Sequence, residues 1–203
     1  MALSSGPDWQ RDLWTSPYRL RFELSQGGSY VNMFTSSYDR ARALARAALP
    51  TDEVIGVIAA DPHPKKVAAA KWRGWTKGTS LEILETMGVP TEPALATWRG
   101  YWWAEEAADE EAEPVVQRAV RLNWDQADIL LWNQIACDIG VRPHAPVMAK
   151  LVDLERGVSV NTYDDRGMDI TALAKAPISE LHARFETWLL DFDRPRMLEA
   201  FQD

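Results

Sequence analysis

The pattern of apolar and polar positions begins as an alternation and then changes to a helical period. A half-buried strand is predicted by Tyr18, Leu20, Phe22 and Leu24, which alternate with Arg19, Arg21 and Glu23. At 30–49 the apolar residues recur every three to four positions, which predicts an amphipathic helix that ends before Pro50. Off its apolar face lie Arg40, Arg42 and Arg46, interpreted as a solvated surface, with phosphate binding as the alternative.

The middle of the chain combines continuous apolar runs with turn residues. The run VIGVIA at 54–59 is short and uninterrupted, which predicts a strand that is buried on both faces. Further strands are predicted at 98–103 and 116–124, and a short helix at 80–87. A strongly apolar helix is predicted to start at a cap formed by Asp125 and to continue to Ile139.

The last quarter of the chain predicts a hairpin at 147–154 and 158–163, a strand at 168–173 and a long helix. Between the strands lies the polar turn YDDRG, whose Gly167 suits a left-handed backbone. The helix is predicted to open at Pro177. Its apolar stripe consists of Leu181, Phe185, Trp188, Leu189 and Phe192.

The order of these elements predicts an α+β fold. We expect a single domain at 17–203, preceded by an N-terminal extension at 1–16, with a mixed or mainly antiparallel sheet, packed helices and a C-terminal amphipathic helix. The chain has 203 residues, of which 46% are hydrophobic, so it is long and apolar enough to form one core and too apolar for a disordered protein.

Net charge limits the class of binding partner, and cysteine usage indicates the cellular compartment. The formal net charge of −8 argues against a broad nucleic-acid or anionic-membrane surface and favours a basic partner. The first residues lack the basic and apolar regions of a signal peptide, and no apolar run approaches the roughly 20 residues that span a bilayer. Because Cys137 is the single cysteine, no internal disulfide forms, and a cytoplasmic location is expected.

A tryptophan-rich stretch precedes an exposed acidic segment at 105–113. The acids repel one another and discourage burial, so the segment is interpreted either as a solubilising loop or as a patch that captures a basic protein. The predicted partner-binding residues are Trp98, Tyr101, Trp102, Trp103, Glu105, Glu106, Asp109, Glu110, Glu111 and Glu113.

Catalytic signatures are absent from the sequence. It contains no nucleophile elbow, no phosphate-binding or dinucleotide-binding glycine loop and no zinc-protease helix. The histidines His63, His144 and His182 are far apart, and with one cysteine they lack zinc-site spacing. We therefore predict no catalytic residue, no metal and no cofactor.

Acidic and arginine residues concentrate around the YDDRG turn and the end of the last predicted helix. Carboxylates at this density could hold Mg²⁺, but the neighbouring arginines favour an ion-pair network that clamps the turn against the helix end. This structural motif, which is also the alternative active site, comprises Tyr163, Asp164, Asp165, Arg166, Gly167, Trp188, Asp191, Asp193 and Arg194.

The sequences YDDRG at 163–167 and WLLDFDR at 188–194 carry a resemblance. Together they resemble the C-terminal motif of the bacterial family called domain of unknown function 3885. The strand LRFEL at 20–24 is similar to the opening strand of that family, and the resemblance covers roughly 17–201. It implies no agreed activity and no catalytic residues to transfer.

Two functions from different classes are compatible with these observations. The preferred hypothesis is a non-enzymatic protein-binding module, most concretely an immunity protein that occludes a basic bacterial toxin. It rests on the negative charge, the tryptophans, the acidic segment and the lack of catalytic motifs. The alternative is a metal-dependent hydrolase or nucleotide-handling enzyme that uses the Asp/Arg cluster of the YDDRG motif.

Overall fold

A seven-stranded antiparallel sheet forms the centre of the protein. The computed structural model describes residues 6–60, 79–103, 105–109 and 111–201. In chain order the strands are β1 (Arg19–Glu23), β2 (Glu53–Ala60), β3 (Ala96–Gly100), β4 (Val115–Asn123), β5 (Val147–Asp153), β6 (Val158–Thr162) and β7 (Gly167–Ala172). Across the sheet the order is β1-β7-β6-β5-β2-β4-β3, with every pair antiparallel, so β1 and β3 are the edges.

Helices cover both faces of this sheet. They are α1 (Gly6–Trp14), α2 (Tyr30–Ala48), α3 (Ser80–Thr86), α4 (Trp124–Ile139), α5 (Ser179–Arg184) and α6 (Arg194–Phe201). The larger core lies between the sheet and α2, α4 and α5, whereas α1 packs on the opposite face. The predicted α+β fold with an antiparallel sheet and a C-terminal helix is therefore confirmed.

Strand β2 shows why a strand in the middle of the sheet has a continuous run of apolar residues in its sequence. Val54 and Ile58 face the larger core, and Val57 and Ala59 face the smaller core under α1. A strand buried on both faces needs apolar side chains at successive positions, because neither face meets water. The prediction of a buried strand at 54–59 is confirmed.

Helix α4 begins two residues earlier than predicted. Its N-cap is Asn123, whose side chain accepts a hydrogen bond from the backbone N–H of Gln126, while the Gln126 side chain accepts one from the backbone N–H of Asn123. This reciprocal arrangement satisfies two amides that a helix start leaves open, so Asn123 rather than Asp125 caps the helix. At the other end Gly140 takes a left-handed conformation, with φ of 80°.

The arginines of α2 connect neighbouring elements and are not simply a solvated face. Arg42 and Arg46 donate hydrogen bonds of 2.9 Å and 2.8 Å to the same carboxylate oxygen of Asp128 on α4. Arg40 donates to the carbonyl of Glu23. The predicted solvated surface is therefore only part of their role: Arg42 and Arg46 remain 41% exposed while they contact the neighbouring helix.

The segment predicted as one long C-terminal helix is broken. α5 ends at Arg184, and Leu189 and Leu190 are extended, with Leu189 forming a bridge to Phe22 of β1. The N–H of Leu190 donates to the carbonyl of Arg21 at 2.8 Å. Because an edge strand has open backbone groups, pairing with it stabilises the extended conformation over the helix. Phe192, predicted on the apolar stripe, is 87% exposed.

The start of the described chain is packed against the rest. Trp9 and Leu13 of α1 are buried on the sheet face that α1 covers. The boundary between 16 and 17 stays a prediction. Within the described part of the chain, no helix has both the length and the apolarity that a membrane crossing needs.

Candidate functional site

Asp164 organises the YDDRG turn. Its carboxylate accepts hydrogen bonds from the backbone N–H groups of Arg166 and Gly167, at 2.8 Å and 2.9 Å, and from the Arg166 Nε at 2.9 Å. A carboxylate that replaces missing backbone partners in this way fixes a tight turn. The Arg166 side chain is 75% exposed, whereas Asp164 is buried, so only the arginine reaches the surface.

Asp165 points inward from the same turn and is 3% exposed. Its backbone carbonyl accepts from the Ser37 hydroxyl on α2 at 2.5 Å. Burial, together with a hydrogen bond to the Asp138 carboxyl on α4, raises the pKa of Asp165 to about 6. The protonated Asp165 carboxyl can donate this hydrogen bond, so the bond favours its neutral form.

Gly167 is required by packing rather than by a left-handed backbone, which corrects the prediction. Its φ is not among the positive values that five other glycines adopt. A Cβ at this position would lie 2.5 Å from the Cζ and 2.6 Å from the Cε2 of Tyr163. The tyrosine ring therefore lies directly against the glycine Cα at the start of β7.

Arg21 connects the turn region to the C-terminal segment. From β1 it donates through Nε to Asp169 of β7 at 3.2 Å and through Nη1 to Asp193. The Tyr163 hydroxyl also hydrogen-bonds to Arg21. Asp169, itself buried, additionally binds Arg19.

The predicted clamp thus exists, but its central cation was not predicted. Arg194 bonds to Asp191 and to the carbonyls of Glu186 and Leu189, which all lie in its own segment. The sequence contained one usable signal: Arg21 alternates onto the polar face of β1. Its register with Asp169, however, exists only once β1 and β7 pair.

Burial has opposing consequences for the ionisable groups around Arg21. Desolvation is the largest influence on the pKa of Asp169 and raises it, whereas Arg19 and Arg21 act in the opposite direction. Desolvation also raises the pKa of Tyr163, while its hydrogen bond to Arg21 lowers it. Trp188, the remaining member of the motif, lies under the guanidinium of Arg40 at 4.9 Å.

The acidic segment is anchored at its start. Glu106 accepts hydrogen bonds from the backbone N–H groups of Trp102 and Trp103, at 2.9 Å and 3.0 Å. Trp102 is 2% exposed and packs into the smaller core, so it supports the segment from inside and has no open surface. Trp103 is 36% exposed beside it.

The other predicted partner-binding residues divide between surface and interior. The exposed acids are Glu105, Asp109, Glu111 and Glu113, and none of them forms an ion pair with another described residue. Trp98 is half-buried and donates through Nε1 to Gln10 at 3.2 Å, and Tyr101 is half-buried. Glu110, like His63, lies outside the described residues.

A polar cavity of about 150 Å³ lies on the sheet face that α1 covers. Its walls include Trp9, Leu13 and Trp14 of α1 together with Trp102 and Trp103. Its floor is formed by side chains of four strands, namely Arg19, Lys150, Ser159, Asn161, Asp169 and Thr171. Sequence reasoning missed this cavity, although Lys150 is the single charged residue inside the apolar run VMAKLV.

Lys150 is the unusual group of this cavity. It is 7% exposed, and its ammonium lies 3.9 Å from the centre of the Trp102 ring. Burial lowers the pKa of the amine to about 7, although Glu106 acts in the opposite direction. Desolvation disfavours a charged amine, so Lys150 changes protonation close to neutral pH.

Metal binding receives no support from the described residues. They contain no group of three or more His, Cys, Asp or Glu side chains that could hold a metal ion. The motif carboxylates Asp164, Asp169, Asp191 and Asp193 are each hydrogen-bonded to an arginine.

Comparison with known proteins identifies the family. The model of the family described as "Domain of unknown function (DUF3885)" matches residues 9–193, so the chain belongs to this family. No curated protein and no solved structure matches the chain. The resemblance predicted from the YDDRG and WLLDFDR motifs is confirmed, and the match begins within α1.

We expect Arg21→Met to lower the free energy of unfolding by about 1–3 kcal/mol, because it leaves two partly or fully buried carboxylates without this cation. Urea unfolding of both proteins measures the difference. Arg166→Met is the matched control and should cost less than about 1 kcal/mol, because Arg166 is largely exposed and Asp164 keeps its two backbone hydrogen bonds. Equal losses in the two variants would contradict the central role of Arg21.

We expect Gly167→Ala to destabilise the protein by about 1–3 kcal/mol, because the new methyl group overlaps the Tyr163 ring. In a Tyr163→Ala background the same glycine substitution should cost clearly less, since the overlapping ring is gone. Thermal unfolding of the unmodified protein, the two single variants and the double variant gives the coupling free energy between positions 163 and 167. Additive losses would show that Gly167 is needed for its backbone and not for the tyrosine.

Proposed function

We propose that this member of the family is a non-enzymatic protein-binding module, concretely a cytoplasmic immunity protein that neutralises a basic bacterial toxin by occluding it. The observation that carries the proposal is the acidic segment at 105–113, which presents exposed carboxylates that have no cation of the described chain as a partner. An uncompensated negative surface attracts a positively charged protein and excludes other partners.

Order within the segment supports binding rather than simple solubility. A purely solubilising loop needs no fixed geometry, whereas this one starts at a buried tryptophan and a carboxylate that caps two backbone amides. A surface that is already ordered loses less conformational freedom on binding. Trp103 lies exposed next to it and offers the kind of aromatic anchor that is enriched in interface hot spots.

An open sheet edge borders this surface. Among the described residues β3 pairs with β4 alone, and the segment leads from the end of β3 to the start of β4. Leu95 and Val116 are exposed apolar residues at the two strands. The proposed contact area therefore has an apolar part beside the acidic part, as protein interfaces require.

The mechanism is occlusion, with no chemical step on the toxin. Negative charge speeds the encounter with a basic domain through long-range attraction, and the aromatic and apolar residues slow dissociation. A toxin that acts on nucleic acid needs its basic surface, so an acidic protein bound there blocks substrate access. Screening predicts that association weakens as salt increases.

The charge reversals Glu111→Lys and Glu113→Lys together test this surface. We expect them to slow association with the toxic domain encoded beside this gene by about tenfold or more at low salt, because they remove electrostatic steering. Stopped-flow or biosensor kinetics at two salt concentrations gives the rates. Cells that carry the gene should survive expression of the toxic domain, and cells that lack it should die.

The matched control is Glu155→Lys with Glu199→Lys, which makes the same change in net charge at exposed acids outside the segment. These should leave the association rate close to that of the unmodified protein. The proposal fails if both double variants have the same effect, or if cells without the gene tolerate the neighbouring domain equally well.

The enzyme alternative, a hydrolase or nucleotide-handling enzyme built on the YDDRG motif, rests on Asp165 alone. Its carboxyl is buried, and burial together with its hydrogen bond to Asp138 raises its pKa to about 6. A carboxyl that titrates near neutral pH suits general acid–base chemistry. The other motif carboxylates are paired with arginines, which favours a structural role for them over a catalytic one.

Asp165→Asn separates the two functions. A carboxyl whose pKa is raised on folding destabilises the folded state increasingly as the pH rises from about 4 through 6. We therefore expect the variant to be more stable by about 1–2 kcal/mol at pH 7–8 and to lose this advantage below pH 4. Thermal unfolding across this pH range measures the effect.

The same variant decides the activity. We expect neither protein to hydrolyse nucleoside triphosphates or an activated phosphodiester in the presence of Mg²⁺ or Mn²⁺. Hydrolysis by the unmodified protein that disappears in Asp165→Asn, while stability is kept, would overturn the binding-module proposal in favour of the enzyme.

A further inference from the structure

The cavity under α1 differs from an ordinary packing defect. Packing voids in protein cores are small and apolar, whereas this one has about 150 Å³ and a floor of polar and charged side chains. The floor runs across neighbouring strands, because Arg19 of β1 is opposite Thr171 of β7, which in turn is opposite Ser159 of β6. The rest of the lining is mostly aromatic or aliphatic, with Gln10 and Glu105 as its polar members.

Lys150 is the group that the fold does not explain. More than nine-tenths of it is buried, yet its amine forms no hydrogen bond or ion pair with another residue of the described chain. Two other charged residues of the cavity neutralise each other, since Arg19 binds Asp169, which also accepts from Arg21. On one side the amine packs against the face of the Trp102 ring.

A purely structural role does not explain why a lysine occupies this position. A buried ammonium without an anionic partner destabilises a fold, and an apolar side chain of similar length would pack equally well. The lysine lies on β5 between residues that face either the core or α1. Groups that reduce stability in this way are typical of binding and catalytic sites.

We propose that this cavity binds a small carboxylate with a flat apolar body, and that the Lys150 ammonium binds the carboxylate group. The ligand supplies the anion that the fold does not provide for the amine. Its body lies among Trp9, Leu13, Trp14 and Trp102, whose faces favour a planar group. A cavity of about 150 Å³ holds a ring of the size of benzene.

The polar floor sets the orientation of this ligand. Ser159, Asn161 and Thr171 line the cavity beside Lys150 and supply hydroxyl and amide donors for the second carboxylate oxygen. Charged groups facing the lysine are Arg19, Asp169, Glu105 and Glu106. Because Glu105 and Glu106 oppose a second negative charge, the site favours monoanions over dianions.

Benzoate and its neutral analogue benzamide are the probes. They have nearly the same shape and differ in charge, so the ratio of their dissociation constants reports the contribution of the cation. We expect benzoate to bind with one-to-one stoichiometry and at least about tenfold more tightly than benzamide, measured by calorimetry and by quenching of tryptophan fluorescence at pH 6. Affinity for benzoate should fall above pH 7, because the amine loses its proton there.

Lys150→Met removes the cation and keeps the length of the side chain. We expect this variant to bind benzoate and benzamide with equal, weak affinity, while Lys175→Met, which lies outside the cavity lining, keeps the tenfold ratio. No binding of benzoate by the unmodified protein, equal affinity for the two probes, or a ratio that persists in Lys150→Met would each overturn the proposal.

Stability gives a second readout of the same variant. Lysine is protonated in both folded and unfolded states below pH 7, so the cost of burial is complete there; it declines between pH 7 and 10.5 as the folded protein releases the proton. Lys150→Met should therefore raise the melting temperature most at pH 6 and least near pH 10. A lower melting temperature at pH 6 would show that the lysine is architectural and would refute the proposal.

Failure of this site and failure of toxin binding are distinguishable. Glu111→Lys with Glu113→Lys lies outside the cavity lining and should leave benzoate affinity unchanged. Lys150→Met leaves the acidic segment intact and should leave association with the basic partner unchanged.

Discussion

The hydrogen bonds of Arg21 are the interaction on which the C-terminal third of the fold depends. Its guanidinium joins Asp169 of β7 to Asp193 of the C-terminal segment, and its backbone carbonyl accepts from Leu190. An edge strand with a covered backbone resists pairing with other chains. The motif that defines the family thus has a structural reason: its Asp193 binds Arg21, its Asp164 fixes the turn, and its glycine admits the Tyr163 ring.

The acidic segment and the cavity under α1 are both supported by the stretch that contains Trp102 and Glu106. Trp102 covers Lys150 from inside, and Glu106 caps the amides of Trp102 and Trp103 while it acts electrostatically on the same lysine. The acidic segment and the cavity therefore border each other. Ligand in the cavity and protein on the acidic surface would contact opposite sides of the same short stretch of chain.

Several elements were predictable because their local pattern and their tertiary role agree. Alternation in RLRFE reflects a strand with one face in the core, and the continuous run VIGVIA reflects a strand covered on both faces. The acidic segment was placed on the surface for the simple reason that its charges repel. The residues of the ion-pair motif were recognised, but their partners were assigned incorrectly, since Arg194 bonds within its own segment.

The sequence alone determined the α+β class, most strands, the long helices and the family, because these follow from short-range periodicity and from a contiguous motif. Tertiary structure decided what depends on contacts between distant residues. The helical stripe from Leu181 to Phe192 breaks because β1 offers backbone partners to Leu189 and Leu190. Gly167 is explained by the Tyr163 ring that packs against it, and Lys150 becomes notable only when α1 and Trp102 close over it.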